Sequence, residues 1–137
     1  MEIKRTFEEL HQVATKYHND RGFCGVIAVA TACNISFSKA YYKMQAQGRK
    51  RGRGSSPKWY QTVIKNRGFD LKLLLNEHNR IEYYGCHVKT LPQKLPKGTY
   101  LIQVSGHVLC MVDGVINDWS KDRALRVKEI IEVIKKK

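Results

Sequence analysis

The N-terminal part of the chain has apolar residues at helical spacing. Thr6 and Glu9 form a capping-box pattern, in which each side chain satisfies an exposed backbone amide, and apolar positions recur from there to Tyr17. We therefore predict a helix that ends in the turn-rich residues 19–22. The next segment, residues 24–32, is apolar on every side, so its periodicity does not distinguish a buried helix from a buried strand. Its alanines and the preceding glycine turn favour a helix.

Two more helices are predicted before residue 68. Either Ser36 or Ser38 can cap a helix that runs through Ala46, because a serine side chain accepts a hydrogen bond from a first-turn amide. Pro57 suits the first turn of the later helix, which ends at Gly68. The loop between these helices combines glycines with like charges, and this composition predicts mobility.

The pattern changes to that of strands at residue 69. Three segments, residues 69–75, 99–104 and 107–119, have strand character. The last of them is divided by Asp113-Gly114, a dipeptide typical of two-residue hairpin turns. The tail again has apolar residues at helical spacing, which predicts a C-terminal helix over residues 123–135.

These elements predict an α+β fold, in which N-terminal helices (residues 5–68) pack on a C-terminal antiparallel β-sheet (residues 69–122). A chain of 137 residues is about one domain long. It has no apolar run near the roughly 20 residues that cross a bilayer, and its first residues lack the apolar region of a secretory signal. We expect a single-domain cytoplasmic protein without a membrane span.

The four cysteines are irregularly placed and include no Cys-x-x-Cys pair. This spacing argues for free thiols rather than for a disulfide scaffold or a zinc site. We expect neither a metal nor another cofactor. Cys33, Cys86 and Cys110 are interpreted as structural residues, which leaves Cys24 as the candidate for chemistry.

The net charge of +13 is unevenly distributed, because no carboxylate occurs between Asp20 and Asp70. Such a field speeds encounter with acidic partners without specifying which. Five basic residues of this region form the predicted docking patch: Arg49, Lys50, Arg51, Arg53 and Lys58. We expect its partner to be an acidic protein or peptide substrate, nucleic acid or anionic lipid, and the alternative is a surface that only adds solubility. The sequence does not choose between these, nor does it determine the oligomeric state.

The strongest chemical signal is the order of Cys24, His107 and Asp118 along the chain. If Asp113-Gly114 is a two-residue turn, Asp118 lies diagonally across the hairpin from His107, with about 7 Å between their backbone positions. Asn117 then points to the opposite face, because side chains alternate along a strand. We therefore expect Asp118 to orient His107; a bulge or a longer turn in the hairpin would transfer this role to Asn117 or remove it.

These three residues suit nucleophilic catalysis. His107 would take the proton of Cys24 and Asp118 would accept a hydrogen bond from the other ring nitrogen, which fixes the tautomer. Attack on an acyl carbon makes an oxyanion, for which the backbone amide of Cys24 and a side chain just upstream are candidate donors. Asn19 is the first candidate for that side chain and His18 the second.

Residues 19–32 and 105–119 resemble the papain-like cysteine peptidase superfamily, especially its small bacterial and phage members and the bacteriocin-processing peptidase domains. The resemblance implies a papain-like fold and acyl chemistry with a Cys24, His107 and Asp118 triad. In those families a glutamine six residues before the cysteine usually supplies the oxyanion donor, and His18 occupies that position here.

Three functions follow as hypotheses. The first is a cytosolic cysteine hydrolase or acyltransferase that cleaves an amide, isopeptide or thioester bond in a protein or peptide. The second is a basic nucleic-acid-binding protein, although the basic loop has no interleaved aromatic residues. The third is a catalytically inactive papain-like scaffold that binds and inhibits a protein partner, which the replacement of the upstream glutamine by His18 favours.

Overall fold

A computed structural model describes residues 5–75 and 87–136 of the chain. In these residues the first half is helical, with α1 (Phe7–Gln12), α2 (Cys24–Cys33), α3 (Phe37–Ala46) and α4 (Pro57–Asn66). A π-helical turn, Val13–Tyr17, continues α1. The second half contains β1 (Phe69–Leu75), α5 (Leu91–Lys94) after a 3-10 turn (Val88–Thr90), β2 (Thr99–Val104), β3 (His107–Val112), β4 (Val115–Ile116) and β5 (Glu129–Lys135). The predicted α+β class is confirmed.

The helix starts follow the predicted capping chemistry. Thr6 accepts a hydrogen bond from the amide of Glu9 at 3.3 Å, and Ser36 accepts one from the amide of Lys39 at 3.1 Å. Ser36 rather than Ser38 is therefore the cap of α3. Pro57 occupies the first turn of α4, where its missing N–H leaves no helical hydrogen bond unmade.

The described strands form one antiparallel sheet with the order β1-β5-β2-β3-β4. The β3–β4 hairpin has the predicted register, with Val112 opposite Val115. Asp113 and Gly114 both have positive φ, 48° and 82°, as a type I′ turn requires. The amide of Asn117 donates to the carbonyl of Cys110 at 3.0 Å, so the predicted alternation continues one pair beyond β4.

The prediction of a C-terminal helix over residues 123–135 is wrong. The segment forms β5, which lies between β1 and β2 and uses both of its backbone edges. Ile130 is buried in the core on one face of the sheet, and Ile131 and Val133 are buried on the other. A central strand covered on both faces has a nearly continuous apolar sequence, which imitates helical spacing, and its β-branched residues favour the strand.

Helix α2 lies at the centre of the core and packs against both the other helices and the sheet. Every residue from Gly25 to Cys33 is buried, and α2 contacts α3, α4 and β3. A second apolar cluster covers the opposite face of the sheet, where α5 packs. The N-terminal end of α2 lies beside the start of β3, because Cys24 lines one cavity with His107 and Val108. None of the helices in the described part of the chain is long and apolar enough to cross a membrane.

Candidate active site

Cys24 is the first residue of α2 and is partly exposed, in contrast to the fully buried residues after it. No side chain of the described residues caps this end of the helix. The backbone N–H groups of Gly25 and Val108 both donate to the thiol. Because first-turn amides and the helix dipole stabilise an anion, this position favours a thiolate.

His107 is held by Asp118. Its Nε2 lies 2.8 Å from Oδ2 of Asp118, and the carboxylate also accepts hydrogen bonds from the amide and hydroxyl of Ser120. Asp118 is 6% exposed, so water competes little for these bonds. Trp119 lies beside the imidazole, with 5.2 Å between ring centroids. Since Nε2 is taken by Asp118, Nδ1 is the ring nitrogen left for the hydrogen bond between His107 and Cys24.

The two groups that share this hydrogen bond have shifted pKa values. Burial alone would raise the pKa of the Cys24 thiol, but His107 and the N–H groups of Val108 and Gly25 outweigh burial and lower it. Burial alone would lower the pKa of His107, but its bonds to Asp118 and Cys24 and their negative charges raise it to about 9. Both shifts favour the thiolate–imidazolium pair over the neutral pair.

The other described cysteines are placed differently. Burial raises the pKa of Cys33 to about 11 and raises that of Cys110 further, and neither thiol has a basic partner in hydrogen-bond contact among the described residues. Cys86, also interpreted as structural from the sequence, lies outside the described residues. Of the three described thiols, Cys24 is thus the one whose pKa is lowered.

A cavity of about 190 Å³ opens beside the thiol. Its lining comes from α2, the loop before α4, α4 itself and the β2–β3 hairpin: Cys24, Gly54, Ser55, Pro57, Tyr60, Gln103, Gly106, His107 and Val108. A larger cavity of about 580 Å³ lies by the start of α1 and the β3–β4 hairpin. It touches neither Cys24 nor His107, so the smaller cavity is the place where a substrate would meet both.

Ser55 fits against the residue that follows the thiol. A Cβ atom built on Gly25 would lie only 2.5 Å from Cβ and Oγ of Ser55, so the close approach of this loop requires glycine. The Ser55 hydroxyl is buried, and no described residue is its hydrogen-bond partner. It lines the cavity and can therefore meet a polar atom of a bound molecule.

Arg49 is not part of a docking patch, and this prediction is wrong. The residue is 2% exposed, and its guanidinium lies 2.7 Å from Oδ2 and 2.8 Å from Oδ1 of Asp20. It also donates to the carbonyl of Gly22 at 2.6 Å. Asp20 is fully buried, so Arg49 and Asp20 form an internal ion pair and Arg49 does not contribute charge to the surface.

The loop that was predicted to be mobile is anchored through the same carboxylate. The amide of Gly52 donates to Oδ1 of Asp20 at 2.9 Å, and the amide of Gly22 donates to the same oxygen at 3.0 Å. A Cβ atom on Gly22 would collide with the carbonyl of Arg53. Asp20 therefore binds the loop before α4 to the segment that leads into Cys24.

The two candidates for the oxyanion side chain lie elsewhere. Nε2 of His18 is 2.8 Å from the Ser38 hydroxyl, and the His18 ring stacks on Tyr41 with 4.2 Å between centroids. Asn19 is exposed in the left-handed backbone region, with φ of 48°. Neither residue lines the cavity at Cys24. Packing against α3 turns His18 away because its ring gains an aromatic partner and a hydrogen bond there.

Asn117 does not orient His107. Its Oδ1 accepts from the amide of Phe7 at 2.7 Å, and its Nδ2 donates to the carbonyl of Arg5 and to Thr31 Oγ1. The residue lies on the opposite face of the ribbon from Asp118, as the alternation of side chains predicts. It joins the start of α1 to α2 and so has a structural role.

Sequence reasoning missed Ser55, Tyr60 and Gln103 as cavity residues and Asp20 as the anchor. Tyr60 is a core residue of α4 and is 2% exposed. Burial and the negative charges of Glu129 and Cys24 raise its pKa to about 12, so its hydroxyl stays protonated. The sequence does contain a signal for the role of Asp20. It is a single acid at the border of a basic stretch without other acids, so several cationic residues are available to pair with it.

No cluster of three or more histidine, cysteine or acidic residues suited to a metal ion occurs among residues 5–75 and 87–136. Comparisons of the chain with protein-family models, with curated proteins and with solved structures found no match. The interpretation of the site therefore depends on its geometry.

Proposed function

We propose that this chain is a papain-like cysteine hydrolase or acyltransferase that acts on an amide, isopeptide or thioester bond in a protein or peptide. One observation carries the proposal: a thiol at the start of a buried helix lines the same cavity as an imidazole that lowers its pKa, and Nε2 of that imidazole lies 2.8 Å from a buried carboxylate. Cys24 comes from α2, whereas His107 and Asp118, 11 residues apart, belong to the β3–β4 hairpin much later in the sequence. A nucleophile, a base and a group that orients the base are the roles that acyl transfer uses.

The first half-reaction uses the thiolate as nucleophile. Cys24 Sγ attacks the acyl carbon, a C–S bond forms, and the carbonyl electron pair moves onto oxygen. The amide of Cys24, at the uncapped start of α2, is the donor available to the oxyanion. When the oxyanion collapses, the bond to the leaving group breaks and the leaving group takes a proton from the His107 imidazolium.

The second half-reaction regenerates the thiol. Neutral His107 takes a proton from water, or from an acceptor amine in a transferase, as that nucleophile attacks the thioester carbon. The C–S bond then breaks and Cys24 leaves as thiolate, with His107 again an imidazolium. Asp118 holds the imidazole orientation through both halves, because its bonds to Ser120 keep the carboxylate in place.

Selective alkylation tests the nucleophile without a known substrate. The protein is treated with limiting iodoacetamide at neutral pH, and the labelled cysteines are identified by peptide mass mapping. We expect Cys24 to react at least about tenfold faster than Cys33 and Cys110, because of these three thiols only Cys24 has a lowered pKa. The His107→Ala variant should lose this selectivity.

The matched control is His18→Ala, which removes a histidine that bonds Ser38 and does not line the cavity. It should keep the selective labelling of Cys24. Equal labelling of all four cysteines in the unaltered protein would refute the nucleophile. Turnover is then assayed with fluorogenic peptide amides and peptide thioesters, with Cys24→Ala as the inactive control.

The alternative is a papain-like scaffold that binds a protein without turning it over. The positions of His18 and Asn19 outside the cavity favour it, because neither supplies a side chain to an oxyanion there. The two proposals differ in one measurement. A peptide thioester mixed with an active hydrolase gives repeated release of thiol, whereas an inactive scaffold gives at most one acyl group per Cys24, detected by intact mass.

A further inference from the structure

Four basic side chains remain exposed beside the candidate active site, and we call them the basic ridge: Lys50, Arg51, Arg53 and Lys58. No described carboxylate lies within ion-pair distance of any of them. The two acids that flank this stretch of the sequence are both paired elsewhere: Asp20 is buried against Arg49, and Asp70 lies 3.7 Å from Nζ of Lys136. The charge of the ridge is therefore available to a partner.

The ridge is held in a defined position. The amide of Arg53 donates to the carbonyl of Lys50 at 3.1 Å, and the next residue back, Gly52, donates to Asp20. Arg53 also has its backbone packed against Gly22, two residues before the nucleophile. The side chains thus project from a backbone that is already anchored. Binding a partner would therefore require less ordering of the loop and cost less conformational entropy.

The ridge leads directly into the cavity. Gly54, Ser55 and Pro57 lie between its members in the sequence, and all three line the cavity at Cys24. Gly54 has open space where a side chain would be, so a second chain can approach its backbone. Lys58 stands in the first turn of α4, where the helix dipole adds to its positive field. Anything that reaches the thiol from this side passes the ridge.

We propose that the basic ridge binds an acidic segment of the peptide or protein substrate that flanks the bond presented to Cys24. This inference depends on the proposed hydrolase or transferase function. A peptide is favoured over nucleic acid because the aromatic residues next to the ridge are not presented as a stacking surface: Trp59 packs against Gly48, and Tyr60 is 2% exposed. Opposite charge also steers a substrate into the cleft and raises its rate of encounter.

Two alkylating peptides test the proposal. Each carries a chloroacetyl group on a short linker, one followed by four glutamates and the other by four glutamines. The rate of Cys24 alkylation by each peptide is measured by mass spectrometry between about 20 mM and about 500 mM salt. At low salt we expect the glutamate peptide to react at least about tenfold faster than the glutamine peptide. The ratio of the two rates should fall towards one at high salt, because salt screens the charges.

Charge-matched variants localise the effect. The variant K50Q/R51Q/R53Q/K58Q should bring the ratio close to one at low salt. The control K72Q/K89Q/K94Q/K97Q loses the same charge from residues that do not line the cavity, and it should keep the ratio. An equal fall of the rate ratio in both variants would show a general charge effect and would overturn the proposal that the basic ridge binds the substrate.

The remaining outcomes separate the two proposals. A rate ratio near one in the unaltered protein, with iodoacetamide still selective for Cys24, would refute substrate binding by the basic ridge. It would not affect the proposal that Cys24 is the nucleophile. Loss of iodoacetamide selectivity overturns the function itself. A single-stranded DNA that slows labelling more strongly than a free glutamate peptide of equal charge would overturn the peptide assignment in favour of nucleic acid.

Discussion

The reactivity of Cys24 depends on where one proton resides. The thiolate is stabilised by two backbone N–H groups and by His107, while His107 is kept charged by Asp118 and by the thiolate itself. Each group shifts the pKa of the other, so the two titrate as a pair. The active ion pair exists above the lowered pKa of Cys24 and below the raised value of His107, about 9.

The variant Asp118→Asn should narrow that pH range. Removing the carboxylate charge lowers the pKa of His107 from about 9 towards the ordinary 6.5, so the imidazolium is lost at neutral pH and the thiolate loses its partner. We expect the pH profile of Cys24 alkylation to shift upwards and its rate at pH 7 to fall about tenfold. The profile is measured with iodoacetamide between pH 5 and pH 10.

Asn117→Ala is the control for that experiment, since it removes a neighbouring polar side chain that points to the opposite face. It should lower thermal stability and leave the alkylation profile in place. A profile of Asp118→Asn that coincides with that of the unaltered protein would show that the hydrogen bond at 2.8 Å does not tune His107.

At the scale of elements, Asp20 joins three segments. Its carboxylate accepts from the amides of Gly22 and Gly52 and pairs with Arg49, so the end of the π-helical turn, the start of α2 and the loop before α4 meet at one buried charge. Burial alone would raise the pKa of Asp20, but Arg49 and the two amides lower it. Cys24 and Ser55, which both line the cavity, follow the two segments that this junction holds together.

Asp20→Asn should destabilise the protein by about 3 to 5 kcal/mol, because it leaves the Arg49 guanidinium buried without a counter-charge. The free energy of unfolding is measured in urea. The folded-state pKa of Asp20 is lowered, so its ionised carboxylate contributes fully to the free energy of unfolding above the ordinary pKa of 3.8. This contribution is lost as pH falls through the lowered folded-state pKa.

The control is Arg51→Gln in the same loop, whose exposed side chain should change stability by about 0.5 kcal/mol or less. Equal effects of the two variants would contradict the anchor.

At the scale of the whole molecule, the tail completes the sheet. Strand β5 pairs with β1 on one side and β2 on the other, so it connects the strand that follows α4 to the strand that precedes His107. Its side chains contribute to the apolar clusters on both faces. The last residues of the described chain thus join β1 to the rest of the sheet.

Ile131→Pro tests this arrangement. Ile131 lies opposite Leu101 and Leu73, and proline there removes a backbone donor from a central strand and a buried side chain from the core. We expect a loss of about 3 kcal/mol or more in the free energy of unfolding, measured in urea, against about 1 kcal/mol for Ile131→Val. A proline variant as stable as the valine variant would show that the tail does not form the central strand.

Much of the architecture follows from short-range chemistry that is visible in the sequence. The serine cap of α3, the proline start of α4 and the Asp113-Gly114 turn involve residues within a few positions of one another, and the structure has all three. The turn sets the parity of the hairpin, and parity alone places Asp118 rather than Asn117 on the face of His107. Local backbone geometry was sufficient for these outcomes because strands alternate with a period of two.

Other features depended on contacts between residues distant in the chain. The burial of Arg49 required Asp20, 29 residues earlier, to meet it, and composition alone counts both charges as exposed. The β5 segment carries a spacing that suits a helix, and the open edges of β1 and β2 made it a strand. His18 turned to Ser38 and Tyr41 rather than to the thiol. A periodic pattern specifies which side of an element is apolar, whereas the partner of that side, or of a buried charge, is selected only when the elements pack.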